Sequence, residues 1–230
     1  DLTPEIKVPA FKVGSGECNN HILLDYIAKQ KKQIILSTGM NDMSSVNKAV
    51  DIVNKYHNKL ALLHCTNVYP TAFESLRLNS ILDLKNKFRK NIIGYSDHSI
   101  GIYPSIIAMS LGALIIEKHF VENKKFKGPD IICSMDPHDL KELINVSKIV
   151  RKSIPGYKYL HPSEVVTSKF AFASLVASKN IKKNEKFSLK NICPKRPGTG
   201  DFLAYDYKKI LGKKSKRNIS EDEQIKRDDV

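Results

Sequence analysis

The chain has 230 residues, with 38 Lys+Arg against 24 Asp+Glu for a net charge of +14, and 41% hydrophobic residues. That composition describes a cored globular protein, long enough for one large domain or a domain with a small appendage. No run approaches the roughly 18 apolar residues of a membrane span, and no apolar signal segment follows the opening DLTPEIKVPAFK, so a cytoplasmic protein without a membrane partner is expected. Cys18, Cys65, Cys133 and Cys193 are isolated from one another, which predicts free thiols. Lysines are scattered along the whole chain and not gathered on one stretch, so no nucleic-acid partner is expected. A milder pull on small anionic substrates fits the charge.

Short apolar runs recur, each closing in polar residues and each followed by helical periodicity. Ala10 to Val13 precedes Gly14-Ser15-Gly16-Glu17, Gln33 to Leu36 precedes Ser37-Thr38-Gly39, and Leu60 to Leu63 precedes His64-Cys65-Thr66-Asn67. Ile92 to Gly94 precedes Tyr95-Ser96-Asp97-His98, and Ala113 to Ile116 precedes Glu117-Lys118-His119. These read as five buried strands. Residues 43–57 form the clearest helix between them, with Val46, Ala49, Val50 and Val53 on one stripe. Asp136-Pro137 offers a cap and a first-turn proline to a helix through Leu140, Leu143, Ile144 and Ile149.

The polar residues that close the runs, Lys12, Ser37, His64, Ser96 and His119, recur at about the repeat of a (β/α)8 barrel. An open doubly wound sheet shares the alternation, but it does not need chemistry at the end of every consecutive strand. Five units fill roughly the first 120 residues, so an eight-stranded barrel lacks three strands, and the chain is expected to be a fragment that opens in the end of a helix or loop. Residues 1–153 are assigned to this partial barrel. Residues 154–168, with Ile154-Pro155-Gly156-Tyr157 and His161-Pro162-Ser163, read as a linker. From 169 to 230 short β-like runs, Ala173 to Ser178 and Phe187 to Ile192, are broken by charged turns and form a small second domain.

His98 and His119 close neighbouring strands, which puts both imidazoles at the same barrel mouth. Neutral imidazoles with open positions suit a divalent metal acting as a Lewis acid, with Asp97 and Glu117 as orienting carboxylates or further ligands. The other reading makes each a hydrogen-bonded core or rim histidine. Lys12, Ser15, Ser37, Asn67 and Ser96 supply ammonium, hydroxyl and amide donors at the strand ends, a set suited to a phosphate or carboxylate. Taken singly, such Ser and Asn are turn residues. Glu17 beside them is placed to handle a proton or a sugar hydroxyl, or else to cap the following helix. Gly198-Thr199-Gly200 is read as a tight turn presenting Arg196. A Schiff-base aldolase using Lys12 or Lys118 is a further reading, and it requires no metal.

KVGSGE (12–17), LSTGM (36–40), LLHCTNVYP (62–70), GYSDHSIG (94–101), LGALIIEKHF (111–120) and GPD (128–130) resemble successive motifs of the sialic acid synthase family, the N-acetylneuraminate and related nonulosonate synthases. SLVASKNIKKNEKFS and KRPGTG resemble the C-terminal antifreeze-like SAF domain of that family. The resemblance implies a TIM barrel of which strands 4–8 are present, followed by a β-clip SAF domain. It implies condensation of phosphoenolpyruvate with an N-acylated amino sugar, N-acetylmannosamine or a 2,4-diacetamido hexose, with release of phosphate. A truncated remnant that only binds sugar or a partner chain is the alternative.

By the same resemblance, His98 and His119 hold a divalent ion, Mn2+ with Mg2+ or Co2+ as substitutes. Lys12, Ser15, Ser37, Asn67 and Ser96 line the phosphoenolpyruvate site, with Lys12 and Glu17 catalytic. Glu17, Tyr69 and Asp130 face the sugar, and Arg196 reaches it from the SAF domain of the other subunit of a homodimer. The chain departs from the family pattern at Ile131, Phe172-Ala173 and Asp201-Phe202.

Overall fold

The computed structural model describes residues 8–230; the expected helix or loop end within residues 1–7 lies outside the described residues. The chain divides into two compact units, the first reaching to Pro155 and the second spanning Gly156–Val230.

In the first unit, β1 (Ala10–Val13), β2 (Gln33–Ser37), β3 (Leu60–Cys65), β4 (Ile92–Asp97) and β5 (Ile116–Lys118) form one parallel sheet in chain order. Consecutive parallel neighbours joined by helices make this a half-barrel. Among the described residues β1 and β5 each pair on one side only. The connecting helices are α1 (His21–Lys29), α2 (Met43–Asn54), α3 (Ser80–Lys87) and α4 (Tyr103–Ser110), with α5 (Pro137–Ser153) after β5.

Cross-strand register sorts the side chains into rows, because successive strand residues face opposite sides. Val13, Leu36, Leu62 and Ile93 are register partners and form a buried outer row. They pack against Leu24 and Ala28 of α1, Val46, Ala49, Val50 and Val53 of α2, and Ile81 and Leu84 of α3. The apolar stripe expected on residues 43–57 is therefore the face that covers the sheet. The helix itself ends at Asn54, where the chain tightens through Tyr56 N–H to the Val53 carbonyl and the Tyr56 hydroxyl donates to Asp25.

Caps explain the helix starts. Asp42 accepts from Ser45 N–H at 2.7 Å, and Asp136 accepts from Asp139 N–H at 2.9 Å with Pro137 in the first turn, as its sequence position predicts. Strands β2, β3 and β4 run past the ends of their apolar runs because the polar residues that follow still find ladder partners. The last strand differs more: the run Ala113 to Ile116 only leads into it. Leu114 N–H bonds the Ile93 carbonyl and Tyr95 N–H bonds the Ile115 carbonyl, and regular pairing then carries Ile116–Lys118. Gly94 permits that close approach, since a Cβ there would collide with the Ile115 carbonyl and the Leu63 side chain.

The stretch read as a linker is partly helical. His161 and Glu164 form a capping box around Pro162–Glu164, and this turn launches α6 (Val165–Ala171). In the second unit β6 (Ser174–Ala177) pairs antiparallel with β7 (Ile192–Lys195). The expected strand over Phe187 to Ile192 is instead a turn, because the Asn191 side chain accepts from Ser188 N–H at 2.7 Å and donates to the Lys186 carbonyl at 3.0 Å. Leu175, Ala177, Ile181, Phe187, Ile192, Ile210, Ile219 and Ile225 form its core, and α7 (Tyr207–Ile210) closes one side.

Arg217 ties the C-terminal end of this unit together. Its guanidinium donates to buried Asp229 at 2.6 Å and to Glu223 at 2.7 Å. Arg217→Met should cost about 1–3 kcal/mol, chiefly by leaving Asp229 without its charged partner. Arg217 holds the Glu223 carboxyl below its ordinary value of 4.5. A depressed carboxylate stabilises the fold above its unfolded value, and that contribution fades as pH falls through the folded value. Thermal melts at pH 7 and pH 3.5 should therefore show a smaller acid-induced loss in the variant than in the wild type.

Candidate active site

The inner rows of the sheet carry the polar chemistry. Lys12, Ile35, Ala61 and Ile92 are register partners; Ser37, Leu63 and Gly94 form the next row; Cys65, Ser96 and Glu117 form the row nearest the C-terminal strand ends. Lys12 climbs across these rows. Its ammonium donates to the Ser37 hydroxyl at 2.9 Å and lies 3.4 Å from Glu117, whose other oxygen accepts from the Ser96 hydroxyl at 2.8 Å. Residues from β1, β2, β4 and β5 are thus joined in one cluster.

Ser15 and Asn67 adjoin it through the β2 turn. Ser15 Oγ accepts from Gly39 N–H at 2.9 Å, and Asn67 Oδ1 accepts from the Cys65 thiol at 2.9 Å. A Cβ on Gly39 would overlap the Asn67 side chain and crowd Ser15 Oγ, so only glycine lets these three elements meet. Burial pushes the Cys65 thiol up, opposed by the neighbouring hydroxyls of Ser15 and Ser96. The buried thiol is a packing and hydrogen-bonding group here. Sequence reasoning took it only as a free cysteine; its place in the row with Ser96 and Glu117 becomes visible once register is known.

His98 is buried, and its Nδ1 lies 3.0 Å from the Thr66 carbonyl. A carbonyl can only accept, so Nδ1 carries the proton and the lone pair resides on Nε2, the tautomer a metal ligand needs. Desolvation pulls His98 below the ordinary histidine value, which keeps the ring neutral. The half-buried His119 ring lies 5.5 Å from it, centroid to centroid. Tyr69 stacks on His98 at 4.0 Å and meets His119 edge-on at 5.7 Å. Two adjacent imidazoles, one with its tautomer fixed, fit a divalent ion. His64, the other strand-end histidine, is an outer-row residue bonded to the Leu76 carbonyl at 2.7 Å, and burial lowers it as well.

The remaining residues singled out in the sequence have surroundings of their own. Glu17 is exposed and accepts from Asn20 at 2.6 Å, and Asn20 in turn caps α1, so Glu17 supports a helix start. Asp130 has a left-handed backbone, φ 61°, its carbonyl accepts from Ser134, and its charge helps raise the Tyr69 hydroxyl, behind burial. Arg196 lies exposed in the second unit, just past β7, followed by a cis bond to Pro197. The Lys118 side chain is fully buried, and its ammonium is engaged by Asp97 at 3.1 Å and the Ser99 carbonyl at 2.7 Å, which does not favour a Schiff base at that lysine.

Asp136, His138 and Asp139 bring ligand atoms within 4.8 Å of one another. Their carboxylates are already engaged: Asp136 and Asp139 form the capping box of α5, and Lys124 pairs with both. That trio is a helix cap. No described helix is long and apolar enough to cross a membrane.

Fold and site together define a (β/α)-barrel protein with a cluster of ammonium, hydroxyl and carboxylate groups beside a pair of imidazoles at its strand ends. The chain belongs to the NeuB family, whose sequence profile matches residues 1–158, and a SAF domain profile matches residues 172–230. It is 40% identical over 98% of its length to an N,N'-diacetyllegionaminic acid synthase of Campylobacter jejuni, covering 68% of that protein. It is 35% identical over 96% of its length to a pseudaminic acid synthase of the same species, covering 64% of it. The crystal structure of an N-acetylneuraminic acid synthetase from Leptospira borgpetersenii, in complex with citrate, superposes with a TM-score of 0.68 at 34% identity, over 71% of this chain and 57% of that one. The chain thus spans about two thirds or less of these relatives.

Proposed function

We propose that this protein condenses phosphoenolpyruvate with an N-acylated amino sugar to give a nonulosonic acid and inorganic phosphate. The observation that carries this reading is the cluster of Lys12, Ser37, Ser96 and Glu117, set at the same strand ends as His98 and His119. An anion site beside an electrophile-activating pair is what joining an enol phosphate to an aldehyde requires.

In this reading Lys12, Ser15, Ser37, Asn67 and Ser96 hold the phosphate and carboxylate of phosphoenolpyruvate. Lys12 supplies the positive charge, and its pairing with Glu117 keeps the ammonium aimed at the strand ends until substrate takes over its donors. C3 of phosphoenolpyruvate forms the new C–C bond to the aldehyde carbon, water oxygen adds at C2, and the C2–O bond to phosphate breaks. The aldehyde oxygen ends protonated as a hydroxyl. A divalent ion held by His98 and His119, Mn2+ in our proposal, supplies polarisation of a carbonyl oxygen. Tyr69 packs on both rings and restricts their motion. Glu17, Tyr69 and Asp130 lie toward the sugar, and Arg196 meets its N-acyl group from the SAF domain of the partner in a homodimer.

The test is phosphate release from phosphoenolpyruvate by the protein at its full natural length, offered N-acetylmannosamine and 2,4-diacetamido hexoses in turn. Release that needs both the sugar and Mn2+, and stops on chelation, is the expected result; release indifferent to chelation overturns the metal assignment, and no release with any of these sugars overturns the function. For Arg196→Ala, the sugar KM should rise about tenfold with the phosphoenolpyruvate KM nearly unchanged, the loss of one charged hydrogen bond. Equal loss for both substrates would instead mark a folding defect of the small unit.

A further inference from the structure

Behind the two histidines lies a buried ion pair that no step of the proposed reaction uses. Asp97 and Lys118 are the last residues of β4 and β5, they are register partners, and each immediately precedes a histidine. Both side chains are fully buried, with 3.1 Å between Lys118 Nζ and Asp97 Oδ2. By strand alternation they face the helix layer while Ser96 and Glu117 face the opposite side. Asp97 also accepts from Ser99 N–H at 2.9 Å, Ser99 Oγ at 2.6 Å and Ser105 Oγ of α4 at 2.6 Å. Lys118 donates in addition to the Ser99 carbonyl at 2.7 Å. Residues on both sides of His98 and the residue before His119 are therefore held by one network anchored on α4.

Such a pair is poorly explained by stability. Burying two charges carries a desolvation cost that their attraction barely repays, and neutral residues of similar volume commonly serve as well. Its distinctive property is geometric, since a carboxylate saturated with donors fixes the position of everything bonded to it. We propose that Asp97 and Lys118 are positioning residues that set the spacing and orientation of His98 and His119, and through them the affinity of the site for a divalent cation. This rests on the reading of His98 and His119 as metal ligands.

The test separates stability from metal binding in the full-length protein, by thermal melting and by calorimetric titration with Mn2+ alone. Lys118→Met strands a buried carboxylate and should lower the melting temperature. The double variant Asp97→Asn/Lys118→Met removes both charges with little change of shape, and its melting temperature should return toward wild type. Its Mn2+ affinity should nevertheless remain about tenfold weaker. A merely structural pair would recover both properties together, so wild-type Mn2+ affinity in the double variant overturns the proposal. If the double variant does not fold, Ser105→Ala removes one anchor of Asp97 and should weaken Mn2+ binding to a smaller extent; unchanged affinity there overturns the proposal as well. His98→Ala serves as the control. Undiminished Mn2+ binding in that variant removes the metal-site reading and the inference with it, whereas loss in His98→Ala with full binding in the double variant removes the inference alone.

Discussion

Replacing His98 or His119 by Ala should reduce turnover roughly a thousandfold, equivalent to about 4 kcal/mol of lost transition-state stabilisation. Circular dichroism and melting temperature should stay close to wild type. The reason lies in where the rings sit. His119 is only half-buried at a strand end, and His98 meets the Thr66 carbonyl, the Cys65 thiol and the Tyr69 ring on the strand-end side, so neither ring belongs to the apolar cluster between sheet and helices. His64 provides the contrast, since it is buried in the outer layer and bonded to the Leu76 carbonyl. His64→Ala should therefore reduce stability before it affects chemistry. Steady-state phosphate release together with thermal melts of the three variants distinguishes the roles, and normal turnover in His98→Ala would refute the ligand assignment.

Lys12→Met should raise the KM for phosphoenolpyruvate about a hundredfold, with the amino-sugar KM little changed. Removing one charge-assisted donor accounts for part of that loss, on the order of 1.5–3 kcal/mol. The rest follows from the neighbour left behind. Glu117 lies 3.4 Å from the Lys12 ammonium, so without the lysine an uncompensated carboxylate faces the incoming anion. Lys12→Met/Glu117→Gln should then recover part of the phosphoenolpyruvate affinity while its turnover stays low. A double variant with the same KM as Lys12→Met would show that Glu117 does not oppose the anion. Substrate-dependence curves for the two variants make the comparison.

Much of the half-barrel was legible because its strands begin as apolar runs, β3 being buried along its whole length, and because Asp42 and Asp136 mark helix starts with capping chemistry. The strand-end position of Lys12, Ser37, Ser96, His98 and His119 was legible for the same reason, since each lies at or just past the close of an apolar run. What the residues alone did not disclose is register. Cys65, Ser96 and Glu117 share a row only through cross-strand pairing, and the pairing of Asp97 with Lys118 depends on an irregular approach to β5 permitted by Gly94. In the second unit the run from Phe187 to Ile192 has the composition of a strand, but local bonds from the Asn191 side chain to the backbone outcompete the ladder. The role of Arg217 as a hub was equally hidden, since its partners lie six and twelve residues further along the chain. For Glu17 the motif gives a position beside the strand ends, and the structure adds a bond from Asn20, the cap of α1.

The alternation of inner and outer rows constrains which changes in chain length the protein can tolerate. Between Ile92 and His98, Ile93, Tyr95 and Asp97 face the helices while Gly94 and Ser96 face the strand-end cluster. Inserting or deleting one residue there exchanges the two sets, sending core residues to the solvent-facing side and the hydroxyl of Ser96 into the apolar layer. Folding and chemistry would fail together. Changes of length are accommodated in the loops, among them the segments between β5 and α5 and beyond β3 that carry Asp130 and Tyr69. Adding or trimming loop residues there would remodel the rim around the strand ends, while the strand ends themselves stay locked to the core.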